Sequence, residues 1–273
     1  MKLGAMVVAA LWWLVPAGAQ AADREFDCMI EPAQIVEVRS PVSGLLQQVH
    51  ARRGDLIRKG QLLVTVESSV ERSATDTARF RAEAQGALLT ARNKVAAARE
   101  KSRRMSELYK EEFVSAQARD DAAAEFKLAE SELHTAEESS QLARLEHRQS
   151  VDQLRRRAIY SPFDGVVMEQ YLYPGALVDG VEGTKKPILK IAQTQPLAVQ
   201  AILPFKMFPL VKPGMPAVVL PEAPFTGSIP TRIRTVDRVI DSAAGTFGVV
   251  ADLDNASQAL PGGIRCKLKI ATP

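Results

Sequence analysis

The chain has 273 residues, of which 46% are hydrophobic, 25% are charged and 5% are aromatic, and its formal net charge is +3. This length accommodates one large domain or two small ones. The small net charge, without any block of Lys and Arg interleaved with aromatic residues, argues against a nucleic-acid partner.

Residues 1–21 have the pattern of a signal peptide. Lys2 precedes an apolar run over residues 6–15, Pro16 interrupts it, and small residues follow up to Ala21. A membrane-spanning helix needs about 20 apolar residues, and this run is shorter. We therefore expect cleavage after Ala21 and export of the mature chain. The alternative is an uncleaved anchor.

Residues 22–33 predict an N-terminal strand that carries Cys28, and the second cysteine, Cys266, lies close to the other end of the chain. Disulfides persist in the compartments that exported proteins reach. A disulfide would require the first strand to lie beside the last one. Two partly buried thiols are the alternative, and the sequence leaves both open.

Residues 34–67 read as short β-strands separated by glycine-containing turns, and residues 156–194 repeat the pattern. The turn Ser40-Pro41-Val42-Ser43-Gly44 matches Ser161-Pro162-Phe163-Asp164-Gly165 at an offset of 121 residues. The matching glycines form three pairs: Gly44 and Gly165, Gly54 and Gly175 at the same offset, and Gly60 and Gly180 within one residue of it. Glycines at matching turns indicate matching backbone geometry, so the two halves should form one pseudo-symmetric domain.

Residues 68–155 separate the two halves and have the composition of helices, with no proline and a single glycine, Gly86. Their second part repeats with alternating steps of three and four at Phe126, Ala129, Leu133, Ala136, Ser140, Ala143, His147, Ser150 and Leu154. The first part follows the same rule at Ala84, Leu88, Ala91, Val95, Ala98, Ser102 and Met105, with a weaker start at Val70 and Ala74. Such a period is a coiled-coil seam, and it breaks near residues 111–115. We predict an antiparallel hairpin of two helices, each of about 40 residues and roughly 60 Å long.

Residues 195–273 again alternate in the manner of β-strands between Pro-Gly and Asp-Asn turns, which predicts a small β-barrel. A short helix is expected between Pro204 and Val211.

This order of elements resembles the membrane fusion proteins, also called HlyD-like periplasmic adaptors. The resemblance implies an elongated α+β protein in which a lipoyl- or biotinyl-like β-sandwich is split by a long helical hairpin and followed by a β-barrel. It also implies a periplasmic adaptor, without enzymatic activity, that links an inner-membrane transporter to a TolC-like outer-membrane channel. The transporter would be of the resistance-nodulation-division (RND) or the ABC type, with RND favoured, and the adaptor would form a homo-oligomeric ring, a hexamer in well-known members.

The family's drug-efflux members carry an Arg-x3-Leu-x6-Ser pattern at the hairpin tip, which docks the outer-membrane channel. Arg104, Leu108 and Ser115 match it and straddle the break in the seam. Leu108 lies one step off the seam, so we expect it to be exposed. The structural alternatives are a solvated Arg104, a Leu108 that covers the end of the hairpin and a Ser115 that caps the second helix.

Two other functions compete with the adaptor. A lipoyl- or biotin-type carrier subunit would need a modified turn lysine between the β halves, and none with that motif occurs. A purely structural coiled-coil protein would not need the β repeat. Metal and cofactor sites are not expected: His134 and His147 lie thirteen residues apart on one predicted helix, and no nucleotide-binding or catalytic motif is found.

Overall fold

The computed structural model describes residues 23–179, 186–256 and 259–271. The predicted signal peptide (1–21) and Gly180 lie outside the described residues. In chain order, the strands are β1 (Asp23–Pro32), β2 (Ile35–Val38), β3 (Gly44–Val49), β4 (Leu56–Ile57), β5 (Leu62–Val66), β6 (Ala158–Tyr160), β7 (Gly165–Gln170), β8 (Leu177–Val178), β9 (Leu189–Gln193), β10 (Leu197–Pro204), β11 (Pro216–Pro221), β12 (Ile229–Val236), β13 (Thr246–Leu253) and β14 (Ile264–Ala271). The helices are α1 (Ser69–Glu83), α2 (Gly86–Lys110), α3 (Ala116–Arg155) and a short 3-10 helix (Phe205–Met207).

The strands of the two β halves form two four-stranded sheets that exchange their members. One sheet has the order β2-β9-β7-β4 and the other has the order β6-β5-β3-β8. Each sheet therefore takes two strands from each half of the chain. The sequence repeat predicts one pseudo-symmetric domain, and this exchange is how the structure builds it.

The helices between the two β halves pair along the predicted seam. All nine seam positions predicted on α3 are buried or half-buried, and Ala129 faces the seam together with Ala91 and Ala98 of α2. Ion pairs Lys94–Glu132 (2.8 Å) and Lys101–Glu125 (2.6 Å) bridge α2 and α3 and show that the helices run antiparallel. The predicted fold class, a β-sandwich split by a helical hairpin and followed by a β-barrel, is confirmed.

The first arm of the hairpin differs from the prediction because it consists of two helices. α1 ends at Glu83, Ala84 is extended, and α2 begins at Gly86. Glycine is a poor helix former, and Gln85 provides no side-chain cap for α2. The helix is therefore interrupted at this point.

The seam of α1 lies one residue away from the predicted positions. Val70 and Ala74 are exposed, whereas Glu71 and Thr75 are half-buried. The Thr75 hydroxyl donates to the Ser150 carbonyl oxygen of α3 at 3.2 Å. Because the helix is interrupted before Gly86, the residues of α1 that face α3 are no longer in step with those of α2. A seam extended across the interruption therefore predicts the wrong positions on α1.

A closed six-stranded barrel has the order β1-β10-β13-β12-β11-β14. β1 pairs antiparallel with both β10 and β14, so the predicted N-terminal strand completes the barrel. Inward-facing side chains alternate along each strand, as in β13, and Leu203, Phe247 and Leu268 are among those that form the apolar core.

The chain forms two compact units. One contains the barrel, and the other contains the three long helices and most strands of the exchanged sheets.

Candidate functional site: the tip of the helical hairpin

The turn at the hairpin tip begins with a hydrogen-bonded helix end. The Glu112 amide donates to the Tyr109 carbonyl oxygen at 3.0 Å, and the Phe113 amide donates to the Leu108 carbonyl oxygen at 2.9 Å. Glu112 has a φ of 61°, which places it in the left-handed region. This is the Schellman arrangement, and it fixes where the chain leaves α2.

Ser115 begins the returning helix. It is the N-cap of α3, and its side-chain oxygen accepts from the Ala118 amide at 3.2 Å. The hydroxyl satisfies one of the amides that the first turn of a helix leaves unpaired. The capping role that the sequence offers as an alternative is therefore present, and the exposed side chain leaves the outer side of Ser115 open to a second role.

Arg104 and Leu108 lie one turn apart on the last part of α2. Arg104 is exposed, as a residue that contacts a partner must be. Leu108 is half-buried, so the expectation that it is exposed is wrong in degree. Its carbonyl oxygen accepts the hydrogen bond from the Phe113 amide, so Leu108 is also part of the backbone turn at the tip.

The most exposed apolar side chain at the tip is Phe113, which sequence reasoning missed. Its exposed fraction is 74%. A large aromatic residue within a predicted break is the signal that could have identified it, because such side chains are usually buried.

Charged groups also close the tip. The Arg119 guanidinium lies 4.4 Å from the centroid of the Tyr109 ring, which joins the start of α3 to the end of α2. Arg119 also donates to the Asp120 carboxylate, and this hydrogen bond raises the pKa of Arg119. On α2, the hydrogen bond from Arg103 lowers the pKa of Glu100. Charged side chains on both helices thus pair with neighbours on the same helix, and Arg119 also contacts Tyr109 across the tip.

At its base, the hairpin is held by a side chain that sequence reasoning did not single out. Arg157 makes an ion pair with Glu71 of α1 and donates to the Ser43 carbonyl oxygen at 3.0 Å. A Cβ at Gly44 would lie 2.6 Å from the Arg157 Nη1 atom, so the absence of a side chain at Gly44 gives the Arg157 guanidinium the space it occupies. The Ser-Pro-x-x-Gly turn thus contributes to anchoring the helices.

The turn glycines of the two halves have matching environments. Gly54 and Gly175 have φ values of 90° and 92°. The Gly54 amide donates to the Val167 carbonyl oxygen at 2.9 Å, and the Gly175 amide donates to the Leu46 carbonyl oxygen at 2.8 Å. The two donors, and likewise the two acceptors, are related by the same offset of 121 residues. The glycine turn of each half is therefore hydrogen-bonded to a strand of the other half. Gly60 has a φ of 79° and is the third left-handed glycine of the repeat in the described residues.

Cys28 and Cys266 form a disulfide with an S–S distance of 2.02 Å. The two residues are direct partners in the register of β1 and β14, and both are buried. The sequence leaves open a disulfide or two partly buried thiols, and the structure contains the disulfide.

Two kinds of feature are absent from the described residues. No helix within 23–179, 186–256 or 259–271 is long and apolar enough to cross a membrane. Nowhere in these ranges do three His, Cys, Asp or Glu side chains gather in a way that could hold a metal ion.

Residues 34–192 match the model of a family described as the CzcB-like barrel-sandwich hybrid domain. This is more than half of the chain and includes both exchanged sheets and the hairpin. The chain belongs to this family.

Curated relatives extend the match beyond these residues. The multidrug resistance protein MdtA of Cronobacter turicensis is 28% identical over 265 residues, which are 94% of this chain and 58% of MdtA. The pyoverdine export membrane fusion protein PvdR of Pseudomonas aeruginosa is 26% identical over 189 residues, which are 69% of this chain and 48% of PvdR. The chain thus spans about half the length of these relatives. The predicted membership of the membrane fusion proteins, which are adaptors and not enzymes, is confirmed.

A solved structure shows the same fold. The crystal structure of MacA from Actinobacillus actinomycetemcomitans superposes with a TM-score of 0.73 at 21% identity, covering 92% of this chain and 78% of MacA.

Proposed function

We propose that this chain acts in the periplasm as an adaptor that links an inner-membrane transporter, of the RND type in preference to the ABC type, to a TolC-like outer-membrane channel. The observation that carries the proposal is the hairpin tip, where Arg104, Leu108 and Ser115 are brought to one end of a long two-helix arm. Membership of the membrane fusion proteins supports an adaptor role. The names of the relatives, which mention multidrug resistance and export, support efflux as the process.

The length of the arm suits a bridging role. α3 has 40 residues, so it extends about 60 Å at 1.5 Å per residue. The seam between the arms is made of small residues such as Ala98 and Ala129, which let the backbones approach closely and bury little apolar surface. Such an arm offers no enclosed cavity for a substrate, and its function should reside in its end.

Docking by a single tip would be weak. A few exposed polar contacts contribute on the order of 1 kcal/mol each, so several copies acting together are needed to hold a channel by avidity. A homo-oligomeric ring, a hexamer by resemblance to well-known members, meets this requirement.

Replacement of Leu108 by Asp should disrupt docking. The carboxylate would place a desolvated charge in the contact, so we expect capture of a TolC-like channel by the immobilised mature adaptor to fall about tenfold or more, a loss that the ring multiplies. Because Leu108 is half-buried, its replacement could also disturb the helix. The capture result therefore counts only if circular dichroism shows the same helicity for the variant as for the wild type. Arg104→Glu, at an exposed position, provides a second variant that should also lose capture.

Leu56→Asp is the matched control, since Leu56 is an exposed leucine outside the hairpin.

Ser115→Asn keeps an N-cap and Ser115→Ala removes it. If Asn restores helicity but not capture, the hydroxyl has a docking role as well. Undiminished capture by folded Leu108→Asp and Arg104→Glu proteins would overturn the assignment of the tip.

A further inference from the structure

One end of the barrel carries exposed apolar side chains. The β10–β11 and β12–β13 connections meet there, because the Phe205 amide donates to the Gly245 carbonyl oxygen at 2.8 Å. Phe205 is 52% exposed, Leu210 is 38% exposed and Val239 is 86% exposed. Burial in the barrel core does not explain these three side chains, and large apolar side chains that gather on a surface indicate a binding partner.

The core of the barrel holds this surface in place. Met207 and Val211 belong to the same connection as Phe205, and both are buried in the core. The Phe208 ring stacks on Phe205 with ring centroids 6.3 Å apart and makes an edge contact with the core residue Phe247 at 5.4 Å. Because its neighbours are anchored from inside, Phe205 needs little ordering when a partner binds.

Cations accompany the apolar side chains. Lys206 and Lys212 lie in the β10–β11 connection, and both are exposed. Within the ranges that the structure describes, neither lysine makes an ion pair. Arg238 precedes Val239 in the β12–β13 connection and is exposed as well. Asp241, in the same connection, accepts hydrogen bonds from two backbone amides of its own loop. The positive charges can therefore meet an anionic partner.

The connections at the opposite end of the barrel have a different character. Residues 222–228 and 254–263 contain two acidic residues and no basic one, a net charge of −2. Residues 205–215 and 237–245, at the apolar end, contain three basic and two acidic residues, a net charge of +1. Of the residues that the structure describes in 222–228 and 254–263, no large apolar one is exposed. The two ends thus differ in both apolarity and charge.

The first strand of the barrel starts at the apolar end. Asp23 pairs with Ala271, and the Arg24 guanidinium donates to the Met207 Sδ atom of the β10–β11 connection at 3.0 Å. A single residue separates Asp23 from the predicted signal peptide (1–21). Such a segment holds the start of an exported chain at the membrane until it is cleaved, and an uncleaved anchor would hold it there permanently. The prediction therefore places this end of the barrel beside the bilayer.

We infer that this end of the barrel binds the surface of a bilayer that contains anionic lipids. The binding surface, called the barrel rim, consists of Phe205, Lys206, Leu210, Lys212, Arg238 and Val239. Its apolar side chains enter the boundary between headgroups and acyl chains, while its cations approach the lipid phosphates. The biological role of this contact rests on the periplasmic location in the proposed function. The contact itself is a property of the purified chain.

The test is flotation of the purified mature chain with lipid vesicles, without channel or transporter. Vesicles of phosphatidylglycerol and phosphatidylcholine in equal amounts are compared with vesicles of phosphatidylcholine alone. Each cation near an anionic surface contributes about fivefold in affinity, so the wild type should bind the anionic vesicles about tenfold or more tightly. Added salt should weaken this binding because it screens the charges. Wild-type protein that floats with neither kind of vesicle, or equally with both, would overturn the inference.

Variants locate the contact. Lys206→Glu/Lys212→Glu should weaken binding to anionic vesicles about tenfold or more, and Phe205→Ser should weaken it several-fold, both with an unchanged circular dichroism spectrum. Lys110→Glu/Lys127→Glu is the matched control, because these exposed lysines lie on the hairpin and their replacement changes the net charge equally. An equal loss for both double variants would show attraction of the whole chain and would contradict a specific rim.

Insertion of the rim can be observed directly. The only tryptophans of the chain, Trp12 and Trp13, lie in the predicted signal peptide, so the mature chain should contain none. Phe205→Trp should emit at shorter wavelength when anionic vesicles are added, and lipids brominated in their acyl chains should quench it. Phe80→Trp, at an exposed phenylalanine of α1, should change in neither respect. A Phe205→Trp protein that floats with the vesicles without a shift in emission would overturn insertion at the rim.

A protein partner at the rim would give a different result. The wild type would then ignore vesicles made of lipid alone, and Lys206→Glu/Lys212→Glu would lose capture of a detergent-solubilised transporter. That outcome would replace the lipid surface by a protein interface and overturn the inference. Channel capture by Leu108→Asp tests the hairpin tip alone and should leave vesicle binding unchanged, so the two proposals can fail independently.

Discussion

Gly165 opens β7 at a place where no side chain fits. A Cβ at this position would lie 2.0 Å from the Ala192 carbonyl oxygen, which belongs to the backbone of β9. Backbone atoms cannot move aside as the end of a flexible side chain can. The sequence repeat identified this glycine, but it attributed the requirement to turn geometry, whereas the structure attributes it to the close approach of a strand from the same half.

Replacement of Gly165 by Ala should therefore destabilise the protein. The added methyl group forces β7 and β9 apart, and we expect a loss of about 3 kcal/mol in the free energy of unfolding, at the upper end of the range for overpacking. Chemical denaturation followed by circular dichroism measures it.

Gly86→Ala is the control for that measurement, because a Cβ built there meets no atom within 4 Å other than those of its chain neighbours and of the adjoining backbone of α2. Alanine at the start of α2 should be neutral or stabilise by up to about 1 kcal/mol. Equal effects of the two substitutions would contradict the close-approach argument.

At the level of elements, the hairpin shows what periodicity can predict. All nine positions that the steps of three and four predicted on α3 are buried or half-buried because the helix runs unbroken from Ala116 to Arg155, but the prediction missed Ala122, which is buried one step nearer the tip. The same rule failed for Val70 and Ala74, since the break before Gly86 shifts the phase of α1. A period carries no information about a break unless the breaking residue is itself recognised, and one glycine in a helical stretch is a weak sign.

Replacement of Ala98 by Leu should test how tightly the arms pack. Ala98 is buried in the seam between α2 and α3, so a larger side chain must push the helices apart, at a cost of about 1 to 3 kcal/mol. The midpoint of thermal unfolding followed by the helical circular dichroism signal should fall.

Ala97→Leu is the matched control, because Ala97 precedes Ala98 on the same helix and is exposed. Its side chain can extend into the groove beside Leu128, so the midpoint should change little. A similar decrease for both variants would show that the helices do not meet at the predicted seam.

For the whole molecule, the order of domains could be predicted, but the exchange of strands could not. The match between residues 40–44 and 161–165 indicates two similar halves, and similar halves can pack as separate sheets or share strands. The choice depends on pairings between residues more than 100 positions apart, such as Gly44 with Val178, and no local pattern encodes them. The same reason left the Cys28–Cys266 disulfide and the place of β1 in the barrel undecided.

Loss of the disulfide should destabilise the barrel. The bond joins residues 238 positions apart, and in the chain-entropy model a loop of that length corresponds to a stabilisation on the order of 5 kcal/mol. Calorimetry of the oxidised and reduced mature protein should show a lower unfolding temperature after reduction, with unchanged helicity at room temperature.

A Cys28→Ser/Cys266→Ser variant should unfold at one temperature whether or not reductant is present. If complete reduction, confirmed by thiol titration, leaves the wild-type unfolding temperature unchanged, the bond contributes nothing to stability.

The exchanged sheets also constrain the order in which the protein can fold. In the compartment where the exported chain folds, β3 and β5 can meet early because they are close in sequence, but β6 and β8 of their sheet lie beyond a long helical insertion that separates Val66 from Ala158. As α2 and α3 zip together, they bring the two ends of this long insertion side by side, which lowers the entropic cost of closing it. The arm can thus serve as an intramolecular folding aid, before any partner is met.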